Sequence, residues 1–360
     1  MPESYEPVLG LTRGNIVESQ HYGAAAVVDS GGRLLAWLGD PYLVTYMRSA
    51  AKPLQALPFI EQGGDQFFHL TSKEIAIICS SHDGSLEHVE TIKAIQEKVG
   101  IQENDLLCGV HLPFSLPEQI ALIKNGEQPT QNQNNCSGKH TGMLAYARMR
   151  GLPISDYINP EHPIQKTILQ TVAEMCSLPQ EKIEVGIDGC SAPNFAIPLY
   201  NAALGFARLC DPRGLSPDRA AACRRIVSSM VANPVMVGGR GRFDTSLMEV
   251  CSGRILAKVG AEGYIALGIM PGATGADSPG IGIAIKIADG DISLRKANGD
   301  SYNRARPAVT LEVLRQMGYI SSKELELLAE FGPTKPITNL RKIVVGELRP
   351  VFSLQKADSP

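Results

Sequence analysis

Gly23-Ala-Ala-Ala-Val-Val-Asp29 and Arg33-Leu-Leu-Ala-Trp-Leu38 are two short apolar runs flanking Ser30-Gly31-Gly32, and they read as a β-hairpin. A helix entered at Ser49 follows over 49–60, with Pro53 tolerated in its first turn and Pro58 expected to kink or end it. Strand character returns only late, at Arg254–Lys258, Tyr264–Ile269, Gly280–Ile287 and Lys342–Leu348. Between these ends the chain reads as helical, at about 85–99, 139–150, 162–177, 193–207 and 216–232, with two more helices at about 302–317 and 321–330. Thr71-Ser-Lys-Glu74 is a capping-box pattern that opens a short helix. Strands at both ends with helices between them predict an α/β (α+β) fold in a single chain, 1–360. One mixed sheet is built from both termini, approximately 1–60 plus 240–360. Helices cover it, and a mainly helical part spans approximately 61–239. Regular βαβ alternation is missing, which disfavours a doubly wound parallel sheet.

The composition is that of an ordinary globular protein, with 44% hydrophobic and 20% charged residues over 360 positions. A net charge of −3 and scattered Lys and Arg leave no basic stripe to neutralise phosphates, so nucleic acid is not an expected partner. The start, Met1-Pro-Glu-Ser-Tyr-Glu-Pro7, is polar and acidic, unlike a secretory signal, and no run approaches the ~20 apolar residues of a membrane span. The expected location is cytoplasmic. The eight cysteines, at 79, 108, 136, 176, 190, 210, 223 and 251, contain no CxxC pair and are expected to be reduced.

Three short motifs carry chemistry. Ser49-Ala-Ala-Lys52 places a serine and a lysine at i and i+3, where helix geometry lets them meet. A neutral lysine can then serve as the base that a serine nucleophile needs. Ser81-His82-Asp83 sits in a loop between two helices, and Lys258-Val259-Gly260 ends a strand. Each alone also fits a plain structural role: a helix cap with a surface lysine, a turn, a solvated strand end. Together they follow the order of the serine β-lactamases and penicillin-binding proteins, Ser-x-x-Lys, Ser-x-Asn, Lys-Thr-Gly. Asp83 here replaces Asn and Val259 replaces Thr, which argues against a penicillin-type substrate and leaves a serine–lysine site.

Asn135-Cys136-Ser-Gly-Lys139-His140-Thr-Gly142 and Gly186-Ile-Asp188-Gly-Cys190-Ser-Ala-Pro193 bring two cysteines, a lysine and an aspartate into consideration. Their spacing matches no common zinc motif, and two buried cysteines beside turns is the plainer reading. With Arg48-Ser49-Ala-Ala-Lys52-Pro53, Cys79-Ser-Ser81-His82, Arg242-Phe-Asp244-Thr245 and Lys258-Val-Gly-Ala-Glu-Gly263, these segments resemble the rhizobial-type, serine–lysine bacterial L-asparaginases over almost the whole chain. The resemblance implies a fold similar to serine β-lactamases and glutaminases and hydrolysis of L-asparagine to L-aspartate and ammonia. It implies two Ser–Lys pairs, Ser49 with Lys52 and Ser81 with Lys258, and a homodimer. It also implies a zinc ion held near the pocket by Cys136, Lys139 and Cys190, with Asp188 close by or ligating through water, supporting substrate binding without activating the attacking water. The preferred attacking group is Ser49 with Lys52 as its base, Ser81 polarised by Lys258 relaying a proton to the leaving ammonia, and the two serines could exchange roles.

An amino-acid substrate needs partners for its α-carboxylate and α-ammonium. Arg48, Asp188, Arg240, Arg242 and Asp244 qualify by charge. Gly238-Gly239-Arg240-Gly241 lacks the lysine and spacing of a phosphate loop and reads as a tight turn. The alternatives are a serine–lysine hydrolase of another amide (glutamine or a lactam) and a non-catalytic amino-acid- or zinc-binding protein.

Overall fold

A computed structural model describes residues 4–292, 294–295 and 301–357. Residues 1–3 of the polar start lie outside them. The fold is mixed α/β, with an antiparallel sheet and helices. The chain divides into two compact units: Met1–Thr45 with Ile197–Asp211 and Ser246–Pro360, and Tyr46–Ala196 with Pro212–Thr245. No helix among the described residues is long and apolar enough to cross a membrane.

The first unit carries the sheet. Ile16–Asp29 is its organising strand, long enough to pair with three others. It pairs with Glu6–Arg13 along its first half, and with Leu34–Leu38 and Ile281–Ile287 along its second. The hairpin forms around Ser30-Gly31-Gly32, with Ala25 opposite Leu38 and Ala26 opposite Trp37. Tyr264–Ile269 and Ile255–Val259 extend the sheet beyond Ile281–Ile287. Val344–Pro350 adds to Glu6–Arg13, so both chain ends do contribute strands.

Ile281–Ile287 alternates Ile with Gly, Ala and Lys, and all seven residues are buried. Alternation puts the isoleucines on one face and Gly282 and Ala284 on the other. The small face is a bed for the helix Leu199–Cys210. A Cβ on Gly282 would stand 1.7 Å from the Ala203 carbonyl oxygen, and one on Gly268 2.3 Å from Cys210 Sγ. Pro193–Pro198, read from sequence as the start of a helix, is instead a strand, and the helix begins at Leu199. A proline inside a helix would remove a hydrogen bond, so Pro193 and Pro198 favour the extended form.

The second unit is helical. Lys52–Glu61, Ser72–Ile78, Leu86–Val99, Ser137–Met149, Pro163–Cys176 and Pro217–Ala232 pack on one another. Pro58 does not end the first, which runs on to Glu61. Thr71 and Glu74 form the expected reciprocal cap. Gly138 and Gly142, one turn apart, let Ser137–Met149 approach Ser72–Ile78 closely: a Cβ on Gly138 would lie 2.2 Å from the Ile77 carbonyl oxygen. That contact sets the start of one helix beside the end of the other, where Ser80 and Ser81 follow.

Candidate active site

Arg48 to Ala51 form a single 3-10 turn, and Lys52 then opens the α-helix. Arg48 has φ 50°, a left-handed conformation that is costly for a residue with a Cβ. Its backbone N–H donates to Asn194 Oδ1 at 3.1 Å, which holds the turn in place.

Lys52 is buried, and its Nζ lies 2.6 Å from the Ser80 carbonyl, 3.0 Å from Ser81 Oγ and 3.2 Å from the Asn135 carbonyl. The sequence spacing leads one to expect Ser49 as its partner. The lysine instead reaches along its stem to the loop after Ser72–Ile78. Ser49 is itself nearly buried, and its side chain makes no hydrogen bond among the described residues. Ser81 is fixed through its backbone as well, its N–H donating to the Val237 carbonyl at 2.9 Å.

Lys258 belongs to the sheet-bearing unit. It is fully buried in the strand Ile255–Val259, and its Nζ donates to the Val259 carbonyl at 3.0 Å. A solvated strand-end lysine is therefore not its role.

The cysteine segments converge. Lys139, in the first turn of Ser137–Met149, donates from Nζ to Cys190 Sγ at 3.0 Å. Cys136 Sγ donates to Asn135 Oδ1 at 3.4 Å. The Cys136 side chain beside Cys190, with the Lys139 charge adding to the effect, holds the Cys190 thiol well below its ordinary pKa against burial. The neighbouring Cys190 and burial raise Cys136 well above the usual range. Burial alone would lower Lys139, but the charges of Cys190, Cys136 and Asp188 carry it above its ordinary value. His140 is brought down to about 4 by burial, and its Nδ1 shares a hydrogen bond with the Tyr157 hydroxyl, 2.6 Å away.

Two cysteine sulfurs and the Lys139 side chain share one buried cluster, three donors of the kinds zinc takes, with the lysine having to lose the proton it donates to Cys190 before it could ligate. Asp188 is engaged elsewhere. Arg48 donates to its Oδ1 from Nε at 3.0 Å and from Nη2 at 2.8 Å. Among the described residues no three His, Cys, Asp or Glu side chains gather as a metal site, so any ion here would depend on the lysine.

Asp244 is fully buried beside Gly238. Its closest charge is Arg242 Nε at 3.8 Å, and neither carboxylate oxygen has a hydrogen-bond partner among the described residues. Arg240 is instead exposed, with Glu87 at 3.5 Å. Sequence reading missed the two carbonyls that hold Lys52. Backbone acceptors carry no residue-type signal, so nothing in the sequence marks them.

A model of the L-asparaginase II family matches residues 9–350. The chain belongs to the L-asparaginase II family. Membership places its reaction in the class of amino-acid amide hydrolysis. No curated protein matches the chain significantly. Among solved structures it is similar to Mglu, with 12% identity, TM-score 0.41, and coverage of 82% of this chain and 67% of that one. It is also similar to a probable glutaminase from Bacillus subtilis complexed with 6-diazo-5-oxo-L-norleucine, with 12% identity, TM-score 0.37, and coverage of 82% and 84%.

Proposed function

We propose that this L-asparaginase II family member hydrolyses the side-chain amide of L-asparagine to L-aspartate and ammonia, with Ser81 as nucleophile and Lys52 as its base. The observation that carries the reading is the set of three oxygens around Lys52 Nζ. A neutral amine has two N–H bonds and one lone pair. Directed at the carbonyls of Ser80 and Asn135, the two N–H bonds leave the lone pair facing Ser81 Oγ–H. Protonation turns that contact round, and the third N–H then donates to Ser81. The same geometry thus serves both halves of a proton transfer.

In this scheme Ser81 Oγ attacks the amide carbon while Lys52 takes its proton. The C–N bond breaks, and Lys52 returns the proton to the departing ammonia. Water then adds to the acyl-enzyme ester by the same path, releasing aspartate and free Ser81. Arg48 suits the α-carboxylate and Asp188 the α-ammonium. Asp244, buried without a hydrogen-bond partner among the described residues, is a second acidic candidate. Lys258 is the further lysine that the resemblance assigns to this chemistry.

The test is ammonia release from asparagine and from glutamine by the wild type, Ser81→Ala and Ser49→Ala. Wild type prefers asparagine, and Ser81→Ala loses on the order of 10³-fold or more in kcat. Wild-type turnover by Ser81→Ala, or its loss in Ser49→Ala alone, would transfer the leading role to Ser49.

Zinc, if bound, would be held by Cys136, Cys190 and Lys139, and would supply a fixed positive charge for orienting polar groups of the substrate. Elemental analysis should give about one zinc per chain in the wild type and little in Cys190→Ser, because structural zinc needs its full donor set. Equal metal content in the two proteins refutes the assignment.

A further inference from the structure

Beside Ser81 lies a second buried polar cluster that the proposed chemistry does not use. His88, in the first turns of Leu86–Val99, is completely buried. Its Nδ1 lies 2.9 Å from Asp83 Oδ1 and 2.6 Å from Ser85 Oγ, and its Nε2 lies 2.9 Å from the Val235 carbonyl. The Val235 carbonyl can only accept, so Nε2 carries a proton and donates to it, while Nδ1 faces the Asp83 carboxyl and the Ser85 hydroxyl. Burial would raise the Asp83 carboxyl. The hydrogen bond and charge of His88, the Ser85 N–H and Arg242 together bring it below the usual range.

A second ring, His82, stacks on His88 with centroids 5.0 Å apart. Burial holds its pKa well below the ordinary histidine range, so it is neutral. Its Nδ1 accepts the Gly84 N–H at 3.1 Å, so Nε2 carries the proton and donates to Ser137 Oγ at 3.0 Å.

The His88–Asp83 pair ties two chain segments together around Ser81. Three contacts join the loop 81–88 to the segment 235–239: Ser81 N–H to the Val237 carbonyl, His88 Nε2–H to the Val235 carbonyl, and the Asp83 carboxylate against the bare Cα of Gly239. A Cβ on Gly239 would stand 2.3 Å from Asp83 Oδ2, so only glycine admits the carboxylate there. Burying a histidine–carboxylate pair costs desolvation that its attraction rarely exceeds, so the pair is poorly explained as a source of stability. It is well explained as a source of register, since a one-ångström slip of this loop would separate Ser81 Oγ from Lys52.

We propose that His88 and Asp83 are positioning residues: a buried histidine–carboxylate clip that fastens the Ser81 loop to segment 235–239 and so holds Ser81 Oγ against Lys52. The inference rests on the reading of Ser81 as nucleophile.

The experiment compares His88→Gln, Asp83→Asn and the double variant with the wild type. It measures asparagine turnover and the rate at which a fluorophosphonate labels Ser81, with Ser81→Ala as the control. Neither residue is placed at the substrate, so kcat and the labelling rate should fall about 10- to 100-fold with KM within about threefold. The double variant should lose little more than the worse single one, since both changes open one clip. Single variants that fold, turn over and label within about twofold of wild type overturn the clip. If His88→Gln does not fold, Asp83→Asn and Ser85→Ala retain the ring and decide the matter. A kcat loss of about threefold or more supports the clip, and wild-type kcat in both removes it. The two readings fail separately. Ser81→Ala with full turnover takes both down, whereas a dead Ser81→Ala beside an unimpaired His88→Gln overturns the clip alone.

Discussion

Lys52→Arg should be almost inactive, with kcat down about 10²- to 10⁴-fold, the range expected when a proton-transfer group is lost. The substitution separates two roles that the wild-type geometry leaves combined. A fixed cation at this position would satisfy the carbonyls of Ser80 and Asn135 and anchor the Ser81 loop, and arginine can do that. A base must also give up its proton, and a guanidinium does not. Lys52→Met should be equally inactive and less stable by about 1–3 kcal/mol, because two carbonyls lose their donor where water has little access. Steady-state kinetics with asparagine, run beside a urea titration of each variant, measures both effects. If Lys52→Arg keeps about a third of wild-type kcat, lysine acts only as a cation and the base lies elsewhere.

What the sequence makes legible is the type of each site residue more than its partner. Ser49 and Lys52 stand at a helical spacing, yet the turn is 3-10 at Ser49 and α-helical from Lys52, and the lysine Nζ is claimed by two backbone carbonyls on other segments. A four-carbon stem can reach across a core, and i,i+3 adjacency says nothing about what waits at its far end. Lys258 shows a related effect. Taken alone, a lysine at the end of an apolar run resembles a solvated strand end, but Ile255–Val259 is buried along its whole length.

His88 is the clearest omission. The apolar residues of 85–99, Leu86, Val89, Ile92, Ile95 and Val99, point to an inner face that leaves out His88, whereas Leu86 is exposed and His88 takes the inner position. A polar residue one step off an apolar stripe is the available signal. It becomes interpretable only once Asp83 and Val235 are seen around it. The hairpin at 23–38 and the strands at both ends are legible because turn residues and apolar runs coincide there. Glu6–Arg13 is not, since its acidic, proline-containing start masks a strand whose buried residues begin only at Val8.

Gly282→Ala should be the most destabilising single methyl in the sheet-bearing unit, at about 3 kcal/mol or more. In a strand interior an alanine ordinarily gains stability over glycine, by about 0.4–1 kcal/mol, through the lower entropy of the unfolded chain. Here the added Cβ would sit 1.7 Å from the Ala203 carbonyl oxygen and 2.7 Å from the Ala207 backbone nitrogen, both within the helix Leu199–Cys210. Backbone in the middle of a helix cannot turn aside, so relief requires lifting the helix from the strands Ile16–Asp29, Tyr264–Ile269 and Ile281–Ile287 that it packs against. Gly268→Ala tests the explanation from the other side. Its Cβ would meet Cys210 Sγ at 2.3 Å, the end of a side chain near the helix terminus, with the nearest backbone atom at 3.1 Å. Its cost should be smaller, within about 1–3 kcal/mol. Urea midpoints at unchanged m-values give the comparison directly. An equal loss in the two variants, or none in Gly282→Ala, would mean that the small face of this strand is not what seats the helix.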